Sequence, residues 1–421
     1  MLRSHCLRGQ FMARDRITQI RISGLRAIES IALDLKGLTV LIGDNGTGKS
    51  SVLEGLELLR LASKPVNYVH DVLLGRHGGL RNLLRRGSKE LVLGLTIEGA
   101  GPRIEYEFAL ANIGTAPAVV RERLDVFVNS STLVLQAKPE PLHVVARAAG
   151  RTRIFEDGKN REVPVNDDSL ALSAFGLGAQ EAIRRVITVI EGIEVHIPFE
   201  TRPGWLQSEL DFRVGPRWPV MLDHARSLAR GGLNLANCFH ELRNLGNGET
   251  WERIRERARL GLGDDFRDIL TPSVGRGQIE LQVSFGSFSQ PLPAESLSEG
   301  QLAYLAFIAL VELGQGRSLL AFDEPEIHLH PELLARVVGM LEEAAEDSPV
   351  ILATHSDRLL DSLSDPAGSV VLCELDERRA THLRRPSKER LDKWLEDYRG
   401  FGTLRAEGYQ VRAFDELKGD A

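Results

Sequence analysis

Apolar and polar positions change rhythm several times along the chain. From Ile17 to Ile42 they alternate around Gly24 and Gly37, the period-two pattern of two or three strands, and the stretch ends in LTVLIG. From Ser50 to Leu61 the spacing turns helical, so strand, glycine turn and helix follow one another over residues 38–61. Residues 91–97 (LVLGLTI), 104–110 (IEYEFAL) and 123–128 (LDVFVN) predict an antiparallel sheet. Between about 135 and 275, helical stretches (Glu181 to Val189, Val220 to Ala229, Trp251 to Leu260) are interrupted by glycine and proline and carry no sustained heptads, so no long coiled coil is expected. Strand signals return in IELQVSF (279–285), and a helix follows from Ser298 to Leu313. The runs SLLAFDE, SPVILATHS and SVVLCELD are flanked by helices and lack alternation, as strands buried on both faces of a parallel sheet do. The fold class expected is α/β, a mixed sheet with an antiparallel β lobe and a helical insertion lobe.

The turn at 43–50, GDNGTGKS, satisfies GxxxxGK[ST]. Glycines let backbone wrap close to phosphate oxygens, the following helix presents free N–H groups, Lys49 neutralises the outer phosphates and Ser50 can ligate Mg²⁺. Asp44, Asn45, Gly46, Thr47, Gly48, Lys49, Ser50 and Ser51 are therefore the candidate nucleotide-binding residues. A nucleoside triphosphate with Mg²⁺ also needs an acidic group and a base for water. The run from Ser318 ends in Asp323 and Glu324, and in an open α/β sheet such a strand end faces the ligand crevice. Asp323 is the expected metal ligand with Ser50, and Glu324 the group that polarises the attacking water. Two carboxylates at a strand end are elsewhere often just a loop start; the phosphate loop upstream tips the reading. His355, at the end of another buried run, is placed to touch a γ-phosphate, although a lone histidine is more commonly structural.

A second helix start, LSEGQ at 297–301, combines Ser298 and Gln301 in a capping box. The box accounts for both residues but not for Gly300, which costs about 1 kcal/mol relative to alanine inside a first turn and invites close approach to the backbone.

Composition adds limits. The 421 residues are 43% hydrophobic, enough for two or three domains or for one with a large insertion. No run nears the ~20 apolar residues of a membrane span, and residues 1–12 lack the apolar block of a signal peptide, so the cytoplasm is the expected compartment and no membrane partner is expected. Cys6, Cys238 and Cys373 are too widely spaced for a disulfide framework or zinc cluster; Cys238 and Cys373 are expected to be buried. A net charge of -7 argues against a surface basic throughout, which leaves two local basic stretches, Arg76 to Lys89 and Arg378 to Arg390, either solvated faces or nucleic-acid contacts.

The ordered motifs GDNGTGKS, LSEGQ, LLAFDEPEIHLHP and ILATHS resemble those of ABC-type ATPases, a P-loop NTPase class, and most closely the RecF-like ATPases related to SMC and overcoming-lysogenization-defect proteins, of the kind grouped as AAA15 or AAA21. ISGLRAIESIALDLKGLTVLIG, GGLRNLLRRGSKELVLGLTIEG, LNLANCFHELRN and YRGFGTLRAEGY extend the resemblance over nearly the whole chain. It implies ATP and Mg²⁺ as cofactors and a homodimer in which Ser298, Gly300 and Gln301 of one protomer face the phosphate held by Lys49 of the other. Lys49, Glu324 and His355 are then the catalytic group. The resemblance also implies a separate effector protein such as a nuclease, since too few residues follow His355 for a Toprim domain, and leaves a higher oligomer and nucleic acid open. Arg26, in GLRAIE, resembles an arginine that approaches nucleotide phosphates in DNA-repair members; a surface arginine is the alternative. Glu299 in the signature, the long interval before it and His330 in EIHLHP depart from transporter ATPases. His330 suits either a protomer interface or a plain helix start before Pro331. No glutamine loop is evident, with His77 near its expected place, and no aromatic residue for stacking adenine stands out. The expected organisation is an extension at 1–16, with Met12 a candidate start, an N-terminal ATPase lobe at 17–130, a helical insertion at 131–278, a C-terminal ATPase lobe at 279–385 and a helical tail at 386–421.

Overall fold

In the computed structural model, residues 14–64, 67–128, 141–156, 158–175, 180–203, 215–245, 248–387 and 414–416 are described. Residues 1–13 of the expected extension, most of the helical tail, YRGFGTLRAEGY and Cys6 lie outside them, whereas Arg16, placed in the extension, opens the first strand.

Two sheets carry the architecture. Five mutually parallel strands run in the order Ile193–His196, Leu319–Asp323, Val350–Thr354, Leu38–Ile42, Val370–Leu375, and Thr381–Pro386 and Phe414–Glu416 extend the edge antiparallel. Side chains of the parallel strands alternate between two cores. Leu41, Leu319, Ala321, Ile351, Ala353, Val371 and Cys373 join the core shared with the second sheet; Val40, Ile42, Leu320, Phe322, Val350, Leu352, Val370 and Leu372 join the other. Burial on both faces is the reason that these runs are apolar throughout rather than alternating.

The second sheet has eight antiparallel strands, in the order Ile28–Asp34, Arg16–Leu25, Glu90–Glu98, Arg103–Ile113, Ala116–Phe127, Leu142–Ala148, Arg151–Glu156, Lys159–Val163. The helix Lys49–Leu61 is sandwiched between the sheets and buries Val52, Leu53, Leu56, Leu58, Leu59 and Leu61. Its approach to the first strand is close: a Cβ on Gly55 would lie 2.6 Å from Ile22 Cδ1.

Three sequence expectations need correction. Residues 142–163, read as part of a helical lobe, add three strands to the antiparallel sheet. Their first hairpin turns on Ala149 (φ 49°) and Gly150 (φ 75°), and an alanine forced into left-handed backbone is not a recognisable turn signal. Val220 to Ala229 is no helix: Val220–Met221 is a strand, and the Asn237 and Asn234 side chains accept the Asp223 and Ala229 N–H groups that a helix would need. IELQVSF is split between the strands Gln278–Ile279 and Gln282–Phe285, which belong to different three-stranded sheets.

The second core is mainly helical, built on Leu235–Leu245, Gly248–Leu262, Glu299–Glu312 and Pro331–Asp347. The last of these, at 17 residues, is the longest helix described. Phe199, Phe307 and Phe322 meet with ring centroids 4.9 to 5.2 Å apart, so the helix from 299 is packed directly on the strand that ends at Asp323. No helix among the described residues is long and apolar enough to cross a membrane.

Candidate functional site

The strand Leu38–Ile42 delivers the chain into the glycine turn, and the helix begins at Lys49. The glycines there do different things. A Cβ on Gly43 would strike the Cys373 carbonyl oxygen at 2.2 Å, and one on Gly48 (φ 99°) would strike Thr381 Oγ1 at 2.3 Å, so both are demanded by packing inside this chain. Gly46 (φ 81°) meets nothing within 4 Å, and its exposed backbone, with those of Asp44 and Asn45, is the open side of the cradle. Thr47 Oγ1 donates to the Asp44 carbonyl at 2.8 Å, and Thr381 Oγ1 donates to the Thr47 carbonyl at 2.9 Å, tying the loop to the sheet edge. Sequence reasoning missed Thr381, which lies over three hundred residues from the loop it holds.

Lys49 is buried and its ammonium donates to the Gly43 and Asp44 carbonyls at 2.7 and 2.9 Å, aimed back across the turn. The Ser50 hydroxyl hydrogen-bonds the Asp323 carboxyl. Burial is the larger influence on Asp323 and pushes its pKa up; the neighbouring Glu324 charge adds to this, while the Ser50 bond and the Lys49 charge oppose it. A carboxylate buried beside a second one is suited to a divalent cation, which relieves both, and a serine–aspartate pair under a phosphate cradle is a hard-oxygen donor set of the kind Mg²⁺ takes. The residues present therefore fit a Mg²⁺–nucleotide at Ser50 and Asp323.

Glu324 sits in left-handed backbone (φ 49°), with its N–H donated to the Ala353 carbonyl at 2.7 Å. Its Oε1 lies 3.0 Å from His355 Nδ1. Glu326 passed unnoticed in the sequence: its Oε1 accepts a 2.5 Å bond from Thr354 Oγ1, and burial pushes its carboxyl up against the effect of that bond.

The second helix start is held by other neighbours. Ser298 Oγ accepts from the Gln301 N–H at 3.2 Å while Gln301 Oε1 accepts from the Ser298 N–H at 2.9 Å, the expected capping box. Buried Arg217 donates to the carbonyls of Ala294, Glu295 and Leu297 just ahead of it. Gly300 has a partner within the chain: its Cβ would lie 2.9 Å from the carbonyl oxygen of His328, itself in left-handed backbone (φ 67°). His328 Nδ1 is 2.6 Å from Glu299 Oε2. His330 stands at the N-cap of the helix from Pro331 without a capping side-chain bond.

Arg26, also at positive φ (48°), forks onto Glu54 of the first helix through Nε to Oε2 and, at 2.9 Å, Nη2 to Oε1; His77 Nδ1 is 3.3 Å from the same carboxylate. Burial alone would raise the Glu54 pKa, but its bonds to Arg26 and His77 and their charges outweigh it and bring it to about 2. The two basic stretches converge rather than stand apart, because Arg85 donates to the carbonyls of Ala27, Arg378 and Arg379. Cys238 and Cys373 are buried, and burial, its first cause, pushes each thiol up to about 12.

A strand–glycine loop–helix with the acidic strand next but one to it in a parallel sheet, and a second capped helix packed on that strand, define a P-loop NTPase of ABC-ATPase type. Comparison with known proteins agrees. Residues 16–92 match the AAA_15 model, an AAA ATPase domain, and residues 234–361 match AAA_21, an AAA domain whose description also names an AbiEii toxin and a Type IV TA system. Curated relatives include the DNA replication and repair protein RecF of Limosilactobacillus fermentum, 28% identical over 145 residues, or 34% of this chain and 36% of RecF. Protein ea59 of Escherichia phage lambda is 35% identical over 96 residues, 22% of this chain and 18% of ea59. The chain thus spans about a third or less of the length of these relatives. Among solved structures, the Smc head bound to the C-winged helix domain of ScpA aligns over 90% of this chain and 99% of its own, with TM-score 0.50 and 14% identity. A Pyrococcus furiosus Smc head with an extended coiled coil, bound to the C-terminal domain of ScpA, aligns over 91% and 99% with TM-score 0.50 and 12% identity, a likeness of fold. The two family models and the curated relatives support a RecF/SMC-like ABC-type ATPase family, each matching less than half of the chain.

Proposed function

We propose that this protein binds Mg²⁺–ATP on the Lys49 loop, hydrolyses it, and uses the γ-phosphate to close a head-to-tail homodimer that controls a partner effector or nucleic acid, in DNA repair or antiphage defence. The observation that carries this reading is the junction at the sheet end: Ser50 bonded to Asp323, and Glu324 beside it with its Oε1 3.0 Å from His355 Nδ1. When bound, the magnesium ion supplies charge neutralisation at the phosphate oxygens from Ser50 and Asp323. Lys49 exchanges its two loop carbonyls for phosphate oxygens. Glu324 accepts the proton of the attacking water as the bond from the γ-phosphorus to the leaving ADP oxygen breaks, and His355, fixed through Nδ1, offers Nε2 to the transferred group. For Arg26 to reach phosphate it must first leave Glu54.

Dimerisation follows from electrostatics. Ser298 and Gly300 bring a second helix N-terminus to the terminal phosphate of the neighbouring protomer, each helix-end contact contributing ~0.3 to 2 kcal/mol. An N-terminal lobe from residue 17, whose antiparallel sheet runs on to Val163, and a C-terminal lobe at 279–385 are proposed to supply the two halves of the nucleotide site.

The test is Glu324→Gln. Phosphate release is expected to fall at least about a hundredfold while ATP binding persists, and light scattering is expected to find an ATP-dependent dimer that the variant holds. An oligomer identical with and without ATP sinks the switch; effector control that survives loss of turnover favours an ATP-stabilised scaffold.

A further inference from the structure

Beyond Glu324, this protein has a second glutamate at the same strand end. Glu326 stands two residues after Glu324 and is turned toward the strand Val350–Thr354. Its Oε1 accepts the 2.5 Å bond from Thr354 Oγ1, and Thr354 Oγ1 in turn accepts the Ser356 N–H at 2.9 Å. Both residues flanking His355 are therefore tied into one chain of hydrogen bonds that ends on Glu326, while His355 Nδ1 lies 3.0 Å from Glu324 Oε1. Thr354 is fully buried, and the other carboxyl oxygen of Glu326, Oε2, is buried with no hydrogen-bond partner among the described residues. A buried carboxyl with one unpartnered oxygen opposes folding, and an aliphatic side chain would fill the same space without that cost. The placement makes sense if geometry at the neighbouring turn is what the carboxyl supplies.

We propose that Glu326, acting through Thr354, is a positioning residue for His355: it clamps the 354–356 turn so that the imidazole meets Glu324 and presents its far nitrogen to the nucleotide. The chain of bonds is short and directional. Without the acceptor on Glu326, the threonine hydroxyl is free to rotate, the Ser356 N–H loses a fixed partner and the histidine is carried by an unbraced turn. Catalytic geometry of this kind is sensitive, a displacement of about 1 Å costing up to about a hundredfold in rate.

The inference rests on the hydrolytic reading above, and steady-state ATP hydrolysis by the full chain separates the two. Glu326→Ala and Thr354→Val are each expected to lower kcat about ten- to a hundredfold with KM for ATP changed less than about threefold. Glu326→Gln keeps an Oε1 acceptor and Thr354→Ser keeps the hydroxyl, so both are expected to restore most of the rate. The double variant Glu326→Ala/Thr354→Val is expected to be no slower than either single one, because both remove the same link. A kcat unaffected in the single variants, a Gln variant as impaired as Ala, or additive losses in the double variant overturns the proposal. Should Glu326→Ala fail to fold, the Thr354 pair and Glu326→Gln decide it alone. Full hydrolysis by Glu324→Gln would instead remove the hydrolytic reading itself, whereas its loss together with an active Glu326→Ala overturns only the clamp.

Discussion

Charge at single residues is set by partners far away in the chain. Glu54 is the clearest case, since Arg26, 28 residues earlier, and His77 hold its carboxyl at about 2 although burial alone would raise it. A depressed carboxylate contributes stability above its unfolded pKa near 4.5 and loses it as pH falls toward 2. With allowance for the half-exposed Arg26, Glu54→Gln is expected to cost about 1 to 2 kcal/mol at pH 7, and the gap in thermal stability from the wild type is expected to close between pH 4.5 and about 2. At this scale the sequence was legible where residue type and spacing form a motif. Lys49, Ser50, Asp323, Glu324 and His355 were all chosen from motifs, and the fold gathers them at one sheet end. Glu326 and Thr381 were not chosen, because nothing local marks a carboxylate or threonine as the partner of a group met only after folding. Gly43, Gly48 and Gly300 carry a similar lesson: the motif called for glycine, and the atoms that enforce it are carbonyls and a threonine from other segments.

Among elements, the helix Glu299–Glu312 best separates local from tertiary causes. Its start is written in LSEGQ, and both halves of the capping box form. Ser298→Ala is expected to destabilise the protein by about 1 kcal/mol in denaturant titration, and Ser298→Asn, which still caps, by much less. If the serine also meets phosphate across a dimer, Ser298→Asn retains stability yet loses ATP-dependent association. The parallel strands were legible for a physical reason, since burial on both faces leaves no polar positions, and the first helix was legible from its period. The first hairpin at 142–156 was not, because it turns on a strained alanine, and the helical pattern of Val220 to Ala229 lost two of its N–H groups to asparagine side chains. Local propensity is weak enough for such contacts to override it.

For the molecule as a whole, the decisive arrangement is a parallel sheet between two cores, with the phosphate loop and the acidic strand separated by a single strand. A ligand seated there bridges segments that begin at 43, 323 and 355 and therefore opposes global unfolding. Mg²⁺–ATP at about one hundred times its Kd is expected to add about 2.7 kcal/mol to stability, read as a rise in Tm that Glu324→Gln keeps and Lys49→Ala abolishes. The sequence by itself determined the glycine loop, the acidic strand end, the capped helix start and the parallel core strands, because these depend on residue type and spacing within a few positions. Only the tertiary structure decided that Arg26 turns to Glu54, that His328 closes on the signature and that Thr381 clamps the loop. Those pairings are made between segments up to 334 residues apart, and distance along the chain erases any local pattern that would announce them.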